Sequence, residues 1–218
     1  RERLGLDRPM MVQYFDWLKS MALLDFGKSF RADLGVGQEL RQAAPVSINL
    51  AAYAVIITLL FAVPIGVMAA LKQDTLIDYA LRVFGIIGLA VPNFWLGIML
   101  LFLFSMVFGY FPKTEWVNPL MNPWGNFKQM IIPAVVLGFH NVALMSRMTR
   151  SSLLEVLRQD YIRTGYAKGL DSGTVVRRHA LKNSLLPVVT LAGIEFGHLM
   201  GGAIVIENVF NLPGLGRL

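Results

Sequence analysis

The chain has 218 residues, 55% hydrophobic and only 16% charged, with a mean hydropathy of +0.55. Soluble domains carry about 25% charged residues, so this balance favours a membrane protein. With no cysteine, a disulfide framework or a thiolate metal site is excluded, and the net charge of +6 matters chiefly for where it lies.

Residues 1–44 mix seven basic with six acidic side chains and carry no signal-peptide pattern. "PMMVQYFDWL" (9–18) is a short amphipathic stretch, read either as a helix along the outer surface or as a packed extracytoplasmic helix. "FGKSF" (26–30) contains the Gly-Lys-Ser of a phosphate loop, but the full pattern needs a glycine five residues before Gly27, where Ala22 stands. No nucleotide binding by this chain is expected.

Four apolar runs follow. Residues 43–71 and 83–112 hold no formal charge, and each exceeds the roughly 20 residues a helix needs to cross a bilayer. Residues 129–146 are uncharged apart from His140, and 183–206 are apolar apart from Glu195 and His198. Prolines interrupt the spans at Pro64, Pro92, Pro133 and Pro187. A proline removes a backbone donor, and the 83–112 run is therefore expected as a tilted or broken helix.

Residues 147–182 separate the third and fourth runs and hold eight Lys or Arg against three acids, which by the positive-inside rule makes this loop cytoplasmic. Counting back, 113–128 lie outside, 72–82 inside and 1–44 outside. That parity implies a further span upstream, and the chain is expected to stop short of its last helix as well. Tyr110, Phe111, Trp116 and Trp124 supply interfacial aromatics on the outer side, and "NPLMNPWGN" (118–126) reads as a turn-rich loop.

Glu195 and His198 are three residues apart, on one helical face. Di-iron bundles need a second Glu-x-x-His pair, which is absent, so no metal site is expected. Ionisable groups in a span usually face a polar interior. His140, Asn141, Glu195 and His198 are therefore candidate translocation-path residues, with satisfied helix–helix hydrogen bonding as the alternative. A proton-driven transporter using Glu195 and His198, or a metalloenzyme adding His140, are the rival readings. Gly193, Gly197 and Gly201 form a ladder that lets another helix approach closely.

The 147–182 loop is too long for a bare connector. From Ser151 to Lys168 the spacing predicts a helix with Leu153, Leu154, Leu157 and Tyr161 on one face. Gly169 is placed to stop it, and Asp171 or Ser172 to cap a second helix with Val175, Val176 and His179 on one side. That helix runs to Pro187, which opens the next span. Two short helices about a glycine read as a docking surface for a partner's groove.

"YIRTGYAKGLDSGTVVRRHALKNSLLPVVT" (161–190) resembles the EAA-loop signature of binding-protein-dependent ATP-binding-cassette (ABC) importer permeases, in its dipeptide/oligopeptide/nickel branch. "GGAIVIENVFNLPGLGRL" (201–218) and "LGLDRPMMVQYFDWL" (4–18) resemble that family's flanking stretches, most closely its B-type subunit. The likeness implies an all-α polytopic transmembrane bundle of the type I importer kind, with four of six spans present: a 1–44 segment, then a 45–218 permease domain. It implies coupling through Arg163, Thr164, Gly165, Ala167, Lys168, Gly169, Asp171, Arg177, Arg178, His179, Leu186 and Pro187. Gly169 matches the loop glycine and Leu186-Pro187 the closing Leu-Pro. The Glu-Ala-Ala that names the motif falls on Arg163, Thr164 and Gly165, a departure that removes its acidic residue. The implied partners are a second homologous permease, two cytoplasmic ATPase subunits that bind ATP and magnesium, an extracytoplasmic solute-binding protein and the lipid bilayer of the inner membrane. No nucleic acid and no catalytic residue in this chain are expected.

Overall fold

The computed structural model describes residues 9–23, 25–27, 29, 35–109, 111–112 and 115–218. The expectations placed on residues 4–8, Lys28 and Tyr110 lie outside them. Every regular element among the described residues is helical: α1 (Met10–Ala22), α2 (Val36–Leu71), α3 (Leu76–Ala90), α4 (Asn93–Phe108), α5 (Pro123–Leu157), α6 (Asp160–Ala167), α7 (Ser172–Thr174), α8 (Leu181–Gly202) and α9 (Ile204–Val209). A π-helical turn, Val175–Ala180, joins α7 to α8, and a 3₁₀ turn, Leu215–Arg217, follows α9. Three helical stretches are long and apolar enough to span a membrane: Val36–Leu71, Pro123–Leu157 and Ser172–Gly201. The pair α3 and α4, bent by 96°, makes a fourth if taken as one span.

The bend has a local cause. Pro92 disfavours helical backbone at the preceding residue, and Val91 is extended (φ −80°, ψ 121°) where α3 ends. The 83–112 run is thus broken, as expected. Its helix nevertheless begins earlier than the charge-free run, at Leu76, because Asp78 and Arg82 neutralise each other within it at 2.8 Å. The connection read as 72–82 shrinks to 72–75. Helix α2 likewise starts ahead of its apolar run and carries Glu39 and Arg41 on its first turns.

Helix α5 is the axis of the bundle, packing against α2, α3, α4, α8 and α9. Lipid tails are as apolar as leucine, so membrane helices associate through close van der Waals contact, favoured by small side chains. The buried face of α2 is such a stripe: Ala43, Ser47, Ala51, Ala54, Thr58, Ala62, Gly66 and Ala70. A Cβ added at Gly66 would lie 2.5 Å from Thr149 Cβ and 2.6 Å from the Ser146 carbonyl oxygen. One at Gly138 would lie 2.9 Å from the Ala54 carbonyl oxygen, and there the Thr58 hydroxyl donates to the Gly138 carbonyl across the interface at 3.2 Å.

At the end of α5 remote from the 147–182 loop, Asn122 caps the helix through Gly125 N–H (2.8 Å), with Pro123 at the first helical position. Pro-Trp-Gly therefore opens a helix here instead of breaking one, since proline's missing donor has no partner in a first turn. Asn126 donates to Asn49 Oδ1 (2.9 Å) and the Val117 carbonyl (2.7 Å), pinning the preceding loop to α2 and α5. The fully buried Glu207 forms a second clasp at this end. It accepts from the Ser47 hydroxyl and from Gly216 N–H (2.8 Å), and Ser47 Oγ accepts from Leu215 N–H (2.9 Å). The segment after α9 is thereby folded back onto α2.

Helix α1 stands apart. None of its residues is buried, and Met10, Phe15 and Trp17 are more than half exposed. It is not a packed helix against the described residues of this chain.

Two outcomes follow from this packing. Overpacking costs about 1–3 kcal/mol, so Gly66→Ala lowers the thermal unfolding midpoint in detergent by several degrees. Gly85→Ala, whose added Cβ meets nothing within 4 Å, leaves that midpoint in place. Glu207→Gln sets an amide N–H₂ against one of the two donors, Ser47 or Gly216, and hydrogen exchange across 210–217 should rise while exchange in α5 does not.

Candidate coupling element and translocation path

Helix α5 ends at Leu157, and the chain breaks at Gln159, which is extended (φ −70°, ψ 148°), before α6 starts at Asp160. The single helix expected over 151–168 is therefore two. The break turns Tyr161 outward, where its hydroxyl accepts from Asn183 Nδ2 at 2.9 Å, and carries Ile162 into the core. Ile162 joins Leu153, Ala70, Val175 and Ala180 in a buried cluster flanked by Val67, Leu154, Val156 and Leu157. The segment after α5 is thus keyed by its apolar side to the ends of α2 and α5.

Gly169 does what the spacing predicts. Its φ of +79° is left-handed, a conformation that glycine adopts at little cost. Gly169 N–H donates to the Tyr166 carbonyl (2.9 Å) and Leu170 N–H to the Gly165 carbonyl (3.3 Å). Those two bonds are the paired closure of a Schellman motif, with Lys168 as C-cap. A Cβ at Gly165 would contact Leu170 Cδ1 and Val175 Cγ2 at ordinary distance, so small size is not demanded there. Asp171, not Ser172, is the next N-cap, accepting from Thr174 N–H at 2.9 Å. Hydrogen bonding from Thr174, side chain foremost and backbone N–H next, holds its carboxyl below the usual carboxylate range.

The second helix is not α-helical through its charged part. Val175–Ala180 forms a π turn, with more residues per turn than an α-helix. Val175 and Ala180 are buried, and His179 is exposed beside Arg177 and Arg178 instead of sharing a face with Val175. Asp171, Gly173, Thr174, Arg177 and Arg178 line a shallow hollow of about 300 Å³. Arg163, Thr164, Ala167 and Lys168 are also exposed, with Arg163 in a surface ion pair to Asp160 at 3.5 Å. Leu186 is exposed and Pro187 half-buried, both inside α8; the Leu-Pro sits within a continuing helix and does not open one.

The path candidates divide into two unconnected pairs. Asn141 is buried on α5 with its Nδ2 lacking a hydrogen-bond partner among the described residues, next to the half-buried His140. On α8, His198 Nδ1 lies 3.8 Å from Glu195 Oε1, with the His198 side chain 73% exposed and that of Glu195 14%. No group of three or more metal-ligating side chains is assembled among the described residues. The glycine ladder faces outward as well: a Cβ at Gly193, Gly197 or Gly201 would meet nothing within 4 Å.

Two charged groups at work in the fold escaped the sequence reading, Glu207 and Asp78. The Asp78 carboxylate is fully buried and takes a two-pronged bond from Arg150, Nε to Oδ1 and Nη2 to Oδ2, both 2.8 Å. Arg82 Nη2 (2.8 Å) and Asp74 N–H (3.1 Å) complete its shell. Asp78 and Arg150 are 72 positions apart, and no periodicity links them.

The profile of the family described as "Binding-protein-dependent transport system inner membrane component" matches residues 62–218. The oligopeptide transport system permease AppB of Bacillus subtilis is 39% identical over 220 residues, covering 100% of this chain and 70% of that protein. The dipeptide transport system permease DppB of Alkalihalophilus pseudofirmus is 37% identical over 236 residues, covering 99% and 71%. Among solved structures, a crystal structure of an amino acid ABC transporter with histidines superposes with a TM-score of 0.58 at 13% identity, covering 83% of this chain and 75% of that one. That likeness shows a shared fold. A clustered loop built on two caps, an α-helical bundle around α5 and a profile match over most of the length agree: the chain belongs to the inner-membrane permease components of binding-protein-dependent ABC transport systems, and is a transport subunit rather than an enzyme.

Proposed function

We propose that this permease imports peptides and is driven through the α6–Gly169–π-turn element by a cytoplasmic ATPase in another chain. The observation that carries this reading is the two-sidedness of the element. Its apolar side, Ile162 and Val175, is locked to α2 and α5, while its outer side presents Arg163, Lys168, Arg177, Arg178 and His179. A solvated connector needs no such cluster. The excess of basic residues over 147–182 supports a cytoplasmic position for this end. The 72–75 turn sits at the same end, because Asp78 meets Arg150 there, and Ser47, Glu207 and the 115–122 loop lie at the other.

The mechanism is alternating access. ATP-driven closure of two ATPase subunits shifts the docked element, and its rigid cap geometry passes that shift to the helices. ATP and magnesium are held by the ATPases, and this chain binds neither. The outward-facing ladder of Gly193, Gly197 and Gly201 suits close approach by a second, homologous permease. An extracytoplasmic binding protein would deliver substrate at the Glu207 end. Peptides are the substrate class because relatives at 37–39% identity over the whole chain are named for dipeptide and oligopeptide transport.

Left-handed backbone costs a non-glycine residue about 1–2 kcal/mol, and more for a β-branched one. Gly169→Val should therefore abolish both uptake and co-purification of the ATPase while the protein still reaches the membrane. Asp171→Ala, which removes a cap worth about 1 kcal/mol, should weaken ATPase association without abolishing it. Uptake that survives Gly169→Val yet is lost in Glu195→Gln would point to a proton-driven carrier and contradict this reading.

A further inference from the structure

One turn of α5, Thr149 to Leu153, touches α2, α3, α8 and the candidate coupling element. Thr149 packs on Gly66 of α2. Arg150 grips Asp78 of α3. The Ser152 hydroxyl donates to the Ser184 carbonyl at the start of α8, at 2.9 Å. Leu153 is buried in the cluster that seats the coupling element. These links differ in kind. Contacts between apolar surfaces are non-directional and allow helices to slide, whereas a two-pronged guanidinium–carboxylate bond fixes both distance and orientation.

Helix α3 depends on the second kind. It also meets α5 through apolar contacts: Gly88 against Ala143, and the Phe84 ring edge-on to Phe139 at 5.9 Å. Every ion pair between α3 and α5 among the described residues runs through Asp78. The carboxylate has no exposed surface, and parting from Arg150 would cost it two of its four hydrogen bonds, leaving only Arg82 and the Asp74 N–H. Arg82 and Asp74, 3.9 Å apart, complete a balanced set of two guanidinium and two carboxylate groups.

We propose that Asp78 is a positioning residue for transport: its buried bond to Arg150 ties α3, and α4 beyond the Pro92 bend, to the coupling element. On this account the coupling element and α3 move as one body. Without the bond, the element moves with the ATPase but α3 and α4 lag, and ATP is spent without import. The inference rests on the importer reading above.

The test uses the complete transporter, with partner permease, ATPases and binding protein, reconstituted in liposomes and given a tritiated peptide digest. In Asp78→Asn, the ATP hydrolysed per peptide imported should rise at least about fivefold, the lower end of typical coupling free energies. Asp78→Glu, which keeps the carboxylate, should return the ratio towards that of the wild type. If Asp78→Asn does not assemble, Arg150→Lys decides: it keeps the charge but loses the fork, and the ratio should rise above that of the wild type. A wild-type ratio in Asp78→Asn, or in Arg150→Lys where Asp78→Asn does not assemble, overturns the proposal, as does a fall in uptake and hydrolysis together. A wild-type complex with no ATP-driven uptake overturns the importer reading instead, so the two failures are distinguishable.

Discussion

Helices in a bilayer gain little from hydrophobic burial against one another, so how closely their backbones approach decides which bundle forms. In this chain that constraint acts between α2 and α5. Gly66 leaves no room for a methyl group against Thr149 and Ser146, and Gly138 leaves little against Ala54. With α5 seated on α2 in this way, its two ends reach past the apolar run and become platforms. One carries the caps and side-chain amide hydrogen bonds of Asn122, Asn126 and Gln129; the other carries the candidate coupling element and the Asp78 bond.

The 160–182 segment shows how a polar island acquires structure among apolar helices. Ile162, Val175 and Ala180 have their apolar surface covered by Leu153 and Ala70, which anchors a segment otherwise rich in charge. Two local devices then set its shape. The Schellman closure at Gly169 ends α6 by pairing the Gly165 and Tyr166 carbonyls, and the Asp171 cap starts the next turn. The π turn that follows rotates Arg177, Arg178 and His179 to the surface together. The charges that mark the segment in the sequence are thus those free to meet a partner.

Much of this was legible in the sequence, because it rests on local chemistry. Span positions follow from charge-free runs, the break at Pro92 from proline sterics, and the turn at Gly169 from glycine's tolerance of positive φ. What escaped depends on distant pairing or on a change of helical period. Asp78 and Glu207 read as ordinary charges flanking apolar runs; only folding sets them beside Arg150 and Ser47, 72 and 160 positions away. His179 was placed on an apolar face by assuming 3.6 residues per turn through a stretch that is a π turn. Pro-Trp-Gly at 123–125 resembles a helix breaker until Asn122 is seen capping the turn that proline begins. The departure at Arg163, Thr164 and Gly165 proves undemanding in structure, since all three positions are solvent-facing or loosely packed.

On the importer reading, the face bearing Arg177 and Arg178 docks on a cytoplasmic ATPase. Residues 1–218 hold no cysteine, so a label within them sits at the one introduced. A photo-activated cross-linker on Arg178→Cys, in membranes from cells producing the whole transporter, should capture the ATPase subunit, and the same label on Leu120→Cys at the opposite end should not. Capture of the ATPase from position 120, or of an extracytoplasmic protein from position 178, would contradict the account.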